Sequence, residues 1–215
     1  MAQLVIAVRG GPAAKSRCAE ALNADDRAEL TAAMLEDMLA AAANTAGVAQ
    51  VWVVTPTQVL ADLAAARAAR AILQPEPADL NGAFDLALTE VADQAPYDVI
   101  ALLPGDLPSL RPSELEAAFA LARSHAVVLA RTQDGGTGAV LLHAGARLPL
   151  AFGEQSFERH RTAAEALGLS LATLEAQSLS RDLDSPDDFA LVMDQAPASR
   201  TAAFLRRRLQ PKIRS

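Results

Sequence analysis

Short runs of aliphatic and β-branched residues recur along the chain, at 4–8, 51–55, 71–73, 99–103, 126–130 and 139–143. Their length and composition predict strands. Between most of them the pattern changes to three-and-four spacing. It is clearest over 25–44, where Leu30, Ala33, Met34, Asp37, Met38 and Ala41 mark one face and Asp25 and Asp26 supply the acidic start that a helix dipole favours. The stretches 81–93 and 112–124 predict two further helices, the second opening on Pro112, Ser113 and Glu114 in the order a helix start prefers. Strands alternating with helices pair in parallel, with right-handed crossovers and helices on both faces. The expected fold is α/β, a three-layer Rossmann-like arrangement. Ligands of such sheets bind beyond the carboxyl ends of the strands, so chemistry is to be sought there.

Composition narrows this picture. Hydrophobic residues make up 51% of the 215 residues but aromatics only 4%, so the core must come from many small aliphatic side chains. No linker-like stretch divides the chain, and a single domain over 1–215 is expected, with a basic helix or tail at about 198–215. That tail carries Arg206, Arg207, Arg208, Lys212 and Arg214 and reads as a solvated helix end. A net charge of -7 argues against nucleic acid and for small-molecule partners. The single cysteine, Cys18, excludes an internal disulfide and a cysteine metal cluster. No basic leader and no membrane-length apolar stretch are seen, so the expected location is cytoplasmic, with no membrane partner.

Several segments carry candidate chemistry. The turn after the first strand runs Arg9-Gly10-Gly11-Pro12-Ala13-Ala14-Lys15-Ser16-Arg17. Its glycines let backbone amides approach phosphates, and Lys15 and Arg17 offer charge to neutralise them. It is not a P-loop, because Ala14 rather than Gly precedes Lys15, and a packing role for the glycines is the other reading. The run 102–108 is an apolar strand ending in Asp106 between Pro104 and Pro108, a carboxylate where metals bind. In 181–189 an extended backbone points Asp182 and Asp184 to the same side, a pair suited to Mg²⁺. Asp187 and Asp188 open a helix, with Ser185 or Asp184 as its cap. The segments 134–138 and 152–160 read as anion-binding turns. The first doubles as a hairpin turn; in the second, Ser156 reads either as an anion ligand or as the cap of a helix running to 167. His125, His143 and His160 show no metal-ligand spacing, and no Gly-x-Ser-x-Gly elbow is present, which excludes zinc and serine-hydrolase chemistry.

In order, these segments resemble the 2-phospho-L-lactate / phosphoenolpyruvate guanylyltransferase family of coenzyme F-420 biosynthesis. The resemblance runs from 13–17 through 26–30 and 33–39, Leu80-Asn81, Leu107-Pro108, Gly135-Gly136-Thr137, and Phe152-Gly153 with Ser156-Phe157 and His160, to 182–188. It implies a nucleotide-diphospho-sugar transferase (GT-A-like) fold with a mainly parallel mixed sheet. By the same resemblance Asp106 and Asp184 hold Mg²⁺, two ions in number, with Asp182 added by the alternation of the extended segment, and Lys15, Asp106 and Asp184 are catalytic. The resemblance brings Lys15 and Asn81 to the nucleotide, joined by Gly10, Gly11 and Arg17 from the reading of the Gly-rich turn, while Thr137, Gly153 and Ser156 bind the phosphorylated acid. The implied reaction transfers GMP from GTP to phosphoenolpyruvate, 2-phospho-L-lactate or 3-phosphoglycerate, by attack of an acceptor phosphate oxygen on the α-phosphorus. A homodimer is an open expectation. Departures from the family pattern are Arg9 for Lys, Cys18 for Leu, and Gly138 for Asn, the last bearing on acceptor contacts. Two alternatives stand beside this reading: a molybdopterin-type GMP or CMP transferase of the same fold, and a nucleotide-binding module without catalysis.

Overall fold

The computed structural model describes residues 1–11, 14–75, 79–94 and 97–209. Pro12 and Ala13 of the Gly-rich turn, and Lys212 and Arg214 of the basic tail, lie outside them. The elements follow in the order β1 (Ala2–Ala7), α1 (Ala24–Ala43), β2 (Val48–Thr55), α2 (Gln58–Ala66), β3 (Arg70–Leu73), α3 (Leu80–Gln94) and β4 (Val99–Pro104). Then come α4 (Pro112–Ala122), β5 (Val127–Arg131), β6 (Thr137–His143), α5 (Ser156–Ala166), β7 (Leu171–Leu174), α6 (Asp188–Gln195) and α7 (Arg200–Leu209).

The strands form a 7-stranded sheet in the order β3-β2-β1-β4-β6-β5-β7. β1 is parallel to both β2 and β4, so their carboxyl ends share one edge. Strand β6 runs against both neighbours, because a short turn rather than a helix joins it to β5. This reversal matters for the site: it puts Thr137, the first residue of β6, at the edge where β4 ends. One layer of core, with Leu35, Met38, Leu60, Leu115 and Phe119, lies between the sheet and α1, α2 and α4. The other, with Phe84, Ala87, Phe152 and Phe157, lies under α3 and α5.

The local rules hold where they were strongest. Asn23 accepts the Asp26 N–H at 2.8 Å and caps α1, with Asp25 and Asp26 in its first turn. The buried face of α1 is Leu30, Met34, Leu35, Met38 and Leu39. Asp37, expected on that face, instead accepts the backbone N–H groups of Arg200 and Thr201 at 2.8 and 2.9 Å, capping α7 from another part of the chain. Helix α7 packs on α1 through Phe204 and Leu205, and its arginines are paired: Arg207 and Arg208 with Glu29, and Arg208 also with Asp26. The basic stretch is thus a helix end docked on an acidic one. α2 and β7 were not foreseen. No helix among the described residues is long and apolar enough to cross a membrane.

Candidate active site

Gly105 closes the turn that carries Asp106. A Cβ there would lie 2.6 Å from the Cβ of Val8, so only glycine lets the end of β4 fold against the end of β1, where its N–H meets the Ala7 carbonyl at 2.8 Å. The Asp106 carbonyl accepts the Leu183 N–H at 2.9 Å. That bond draws the distant segment 182–184 onto the same edge, and Leu183, fully buried beside Cys18, anchors it. The side chains on either side of Leu183 face the site, as the extended pattern predicts. One oxygen each of Asp106, Asp182 and Asp184 lies within 4.8 Å of the others.

Lys15 enters this cluster from the Gly-rich turn. It takes a left-handed conformation (φ 50°) at the head of a short 3-10 turn, and its Nζ donates to Asp106 Oδ2 at 2.8 Å and Asp184 Oδ1 at 2.9 Å. Arg17 adds a hydrogen bond to Asp184 Oδ2 at 3.1 Å from a much more open position. Burial pushes the Lys15 ammonium toward neutrality, but the charges of Asp106 and Asp184 and their hydrogen bonds outweigh it, so its pKa is raised. Burial, then repulsion from Asp106 and Asp184, raises Asp182 to about 6. Asp188 opens α6 as its first residue, as expected, and also reaches back: its Oδ2 accepts the N–H groups of Asp184 and Ser185 at 2.9 and 2.7 Å and the Ser185 hydroxyl at 3.1 Å. Neither Asp184 nor Ser185 caps the helix, which leaves the Asp184 carboxylate for the cluster.

Three cavities meet at Asp106. One of about 260 Å³ is lined by Arg9, 14–17, Thr31, Met34 and the two carboxylates of Asp106 and Asp184. A smaller one of about 150 Å³ lies toward Pro56, Gln74, Asp79 and Leu80. The third, about 390 Å³, spans Arg17, Asp106, Asp182 and Asp184 on one side and Thr132, Gly136, Thr137, Gly153 and Ser156 on the other. Gly10 packs against Thr57 and Leu60, and Gly11 turns the chain at φ 84°, so their observed contribution is to the shape of the turn.

The far side of the largest of these cavities carries the exposed Asp134 and Glu154 at its rim, while its buried part is uncharged and tightly bonded. Gln155 is the residue preceding α5, and Ser156 is its first residue; rather than capping the helix, the Ser156 hydroxyl donates to Thr137 Oγ1 at 3.0 Å. His160, one turn on, places Nδ1 3.0 Å from Thr137 Oγ1, while its Nε2 accepts the Ala151 N–H at 2.8 Å. All three residues are buried. Burial and the neighbouring Arg159 hold His160 down at about 4, so it is neutral near pH 7. Asn81 is fully engaged with the loop before α5: its Oδ1 accepts the Phe152 N–H at 2.7 Å and its Nδ2 donates to the Phe152 carbonyl at 3.2 Å. Gly138 has a clear steric cause. A Cβ there would lie 1.6 Å from the Leu179 carbonyl oxygen, which fills the place a side chain would take.

The sequence places His160 in the family's order of residues but assigns it no role, because a lone histidine without metal-ligand spacing declares no chemistry. The usable signal was the four-residue interval from Ser156, which puts both on one face of a helix.

A family model described as "Guanylyl transferase CofC like" matches residues 2–213. The chain is 50% identical over 206 residues to a 3-phospho-D-glycerate guanylyltransferase of Phenylobacterium zucineum (strain HLK1), covering 94% of each chain. It is 38% identical over 209 residues to a phosphoenolpyruvate guanylyltransferase of Nocardia farcinica (strain IFM 10152), covering 94% of this chain and 89% of that one. Among solved structures, a protein from Desulfovibrio desulfuricans G20 assigned as a nucleotide-diphospho-sugar transferase superposes with a TM-score of 0.79 at 18% identity, covering 96% of this chain and 94% of that one. A nucleotidyl transferase from Methanothermobacter superposes at 0.66 and 20% identity, covering 96% and 99%. These superpositions bear out the nucleotide-diphospho-sugar transferase fold. By the match over nearly its whole length, the chain belongs to the CofC-like guanylyl transferase family of enzymes.

Proposed function

We propose that this protein transfers GMP from GTP to a phosphorylated three-carbon acid and releases pyrophosphate, in the route to coenzyme F-420. 3-Phospho-D-glycerate is our first acceptor, because the relative at 50% identity is named for it; phosphoenolpyruvate and 2-phospho-L-lactate come next. The observation that carries the reading is the meeting of Lys15, Asp106, Asp182 and Asp184 at the junction of the three cavities.

The chemistry asks little of a protein acid or base. An acceptor phosphate oxygen, already ionised, attacks the α-phosphorus of GTP; a new P–O bond forms and the bond to pyrophosphate breaks. What remains is alignment and charge neutralisation. The carboxylates fit Mg²⁺: they are hard oxygen donors, within 4.8 Å of one another, and burial, followed by repulsion from Asp106 and Asp184, raises the Asp182 pKa, a cost of holding charge there that a dication offsets. Held by Asp106, Asp182 and Asp184, Mg²⁺ would neutralise the triphosphate and stabilise charge on the leaving pyrophosphate. Lys15 and Arg17 then supply positive charge to the phosphates. We assign the nucleotide to the side of the Gly-rich turn, with Gly10 and Gly11 shaping it, and the base to the recess beside Pro56, Gln74 and Asp79. The acid is assigned to the larger cavity, against Thr137, Gly153 and Ser156 at the amino end of α5, where the helix dipole favours anions. Asn81 acts on both through the Phe152 loop.

The test is pyrophosphate release by the purified protein with Mg²⁺, crossing GTP, CTP and ATP against the three acids and a no-acceptor control. Release with GTP and 3-phospho-D-glycerate is expected. A folded protein silent across the grid would overturn the reading.

A further inference from the structure

We propose that His160 is a positioning residue for acceptor recognition: its Nδ1–H fixes Thr137 so that one hydroxyl proton of the Thr137–Ser156 pair is left to bind an anionic oxygen of the acid. The inference rests on the guanylyl-transfer reading and specifies how that site reads its acceptor. It begins with a group whose role is unambiguous. The backbone N–H of Ala151 can only donate, and it lies 2.8 Å from His160 Nε2. Nε2 therefore carries no hydrogen, and the proton of a neutral imidazole sits on Nδ1. Nδ1 faces Thr137 Oγ1 at 3.0 Å and must donate to it.

Proton counting gives the consequence. Thr137 Oγ1 accepts from His160 on one side and from the Ser156 hydroxyl, at 3.0 Å, on the other. His160, Ser156 and Thr137 bring one hydrogen each, and these two contacts use two of them. The hydroxyl hydrogen of Thr137 remains, and Thr137 and Ser156 both line the cavity that also holds Arg17 and the carboxylates. With the opposite tautomer, Nδ1 would take the Thr137 hydrogen, and the pair would turn only lone pairs toward the acid. The tautomer converts a wall that repels an anion into one that binds it. The ring has little freedom to change: it is fully buried, and Phe152 meets it edge-on with centroids 5.0 Å apart. Its neutrality, with a pKa lowered to about 4, keeps a second hydrogen off Nε2.

Steady-state kinetics on wild type, His160→Phe and His160→Gln test this, together with ¹⁵N NMR of histidine-labelled protein. With GTP saturating, His160→Phe should raise KM for 3-phospho-D-glycerate by ~10- to 100-fold, the range for losing a hydrogen bond to a charged group. KM for GTP and kcat should stay within about threefold, since such a donor lies away from the transferring phosphorus. His160→Gln keeps one donor and one acceptor and should recover most of the acceptor affinity. NMR should show one histidine with a protonated Nδ1 and a bare Nε2, its signals lost in His160→Gln. Should His160→Phe fail to fold, Thr137→Val, of the same shape, should show the same rise in acceptor KM. An unchanged acceptor KM, an equal rise in the KM for GTP, or a hydrogen on Nε2 would each overturn the inference. A wild type without turnover would instead overturn the guanylyl-transfer reading, and the NMR result would still decide the tautomer.

Discussion

The two walls of the central cleft solve the same problem, holding anions, by opposite means. On one wall Lys15, Arg17 and three aspartates meet in a charged cluster in which the Lys15 side chain is 11% exposed and that of Arg17 is 76% exposed. On the other, Thr137, Ser156 and His160 are buried, uncharged and joined by hydrogen bonds. The charged wall is rearrangeable: the Lys15 ammonium sits between carboxylates that a divalent cation would also engage. The neutral wall is fixed by the fold. A strong but adjustable wall suits the triphosphate and its metal, whose charge is redistributed as pyrophosphate leaves; a rigid wall suits discrimination among acids that differ by a hydroxyl, a methyl or a double bond.

The largest expected effect is on the charged wall. Asp106→Asn should reduce kcat by at least ~10³-fold, since it removes a metal ligand from the centre of charge development. Its stability should change by no more than about 1 kcal/mol: a lysine contact is weakened, but repulsion of Asp182 falls too. Measuring turnover alongside urea denaturation checks both halves. Activity near wild type would remove Asp106 from the catalytic centre and break the contrast between the walls.

Acid separates the walls by sign. For His160 the folded pKa, about 4, lies below the ordinary value of 6.5, so the unfolded chain binds more protons between the two. Its contribution to stability is complete above about pH 6.5 and is lost as pH falls toward 4, on the order of 3 kcal/mol in all. Asp182 runs the other way. Its folded pKa is raised to about 6 by burial and then by repulsion from Asp106 and Asp184, so protonation below that pH favours the folded state. The two oppose each other in the wild type. In His160→Gln the destabilising part is gone, and stability between pH 6.5 and 4 should fall less steeply than in wild type. Parallel curves from denaturant titrations at several pH values would show that His160 titrates normally and that the neutral wall is not as closed as its geometry indicates.

The charged wall was far more legible in the sequence than the neutral one. An aspartate at the end of an apolar strand, and two others spaced for one side of an extended segment, declare themselves by position alone, and Asp106, Asp182 and Asp184 do converge. The neutral wall depends on which atoms face each other across the fold. Ser156 has the residue type of a cap and Asp37 the spacing of a core position, yet tertiary partners claim both: Thr137 takes the Ser156 hydroxyl, and the start of α7 takes Asp37. The same limit applies to the sheet. Helix α2 is rich in alanine and offers little polar contrast, and β7 is a four-residue edge strand only partly buried, so neither shows a clear period. Asn81 came from resemblance alone; the structure has its amide gripping the Phe152 backbone, a contact between elements far apart in the chain.

The smallest effect should come from Arg17, and it measures how much of the charged wall is mere charge. Its guanidinium bonds Asp184 at 3.1 Å but is 76% exposed, so Arg17→Gln should alter stability by less than ~0.5 kcal/mol, as for other solvent-screened pairs. It nevertheless lines both the cavity assigned to the nucleotide and the one assigned to the acid. Its loss should raise KM for both substrates by about threefold to tenfold at low salt, because two polyanions lose one nearby cation. Screening acts on an open charge and little on a buried one. The wild-type advantage over Arg17→Gln should therefore shrink as salt is raised from 50 to 500 mM, whereas the defect of His160→Phe should not. If both defects faded together, long-range charge would govern both walls, and the division between an adjustable charged side and a fixed neutral one would fall.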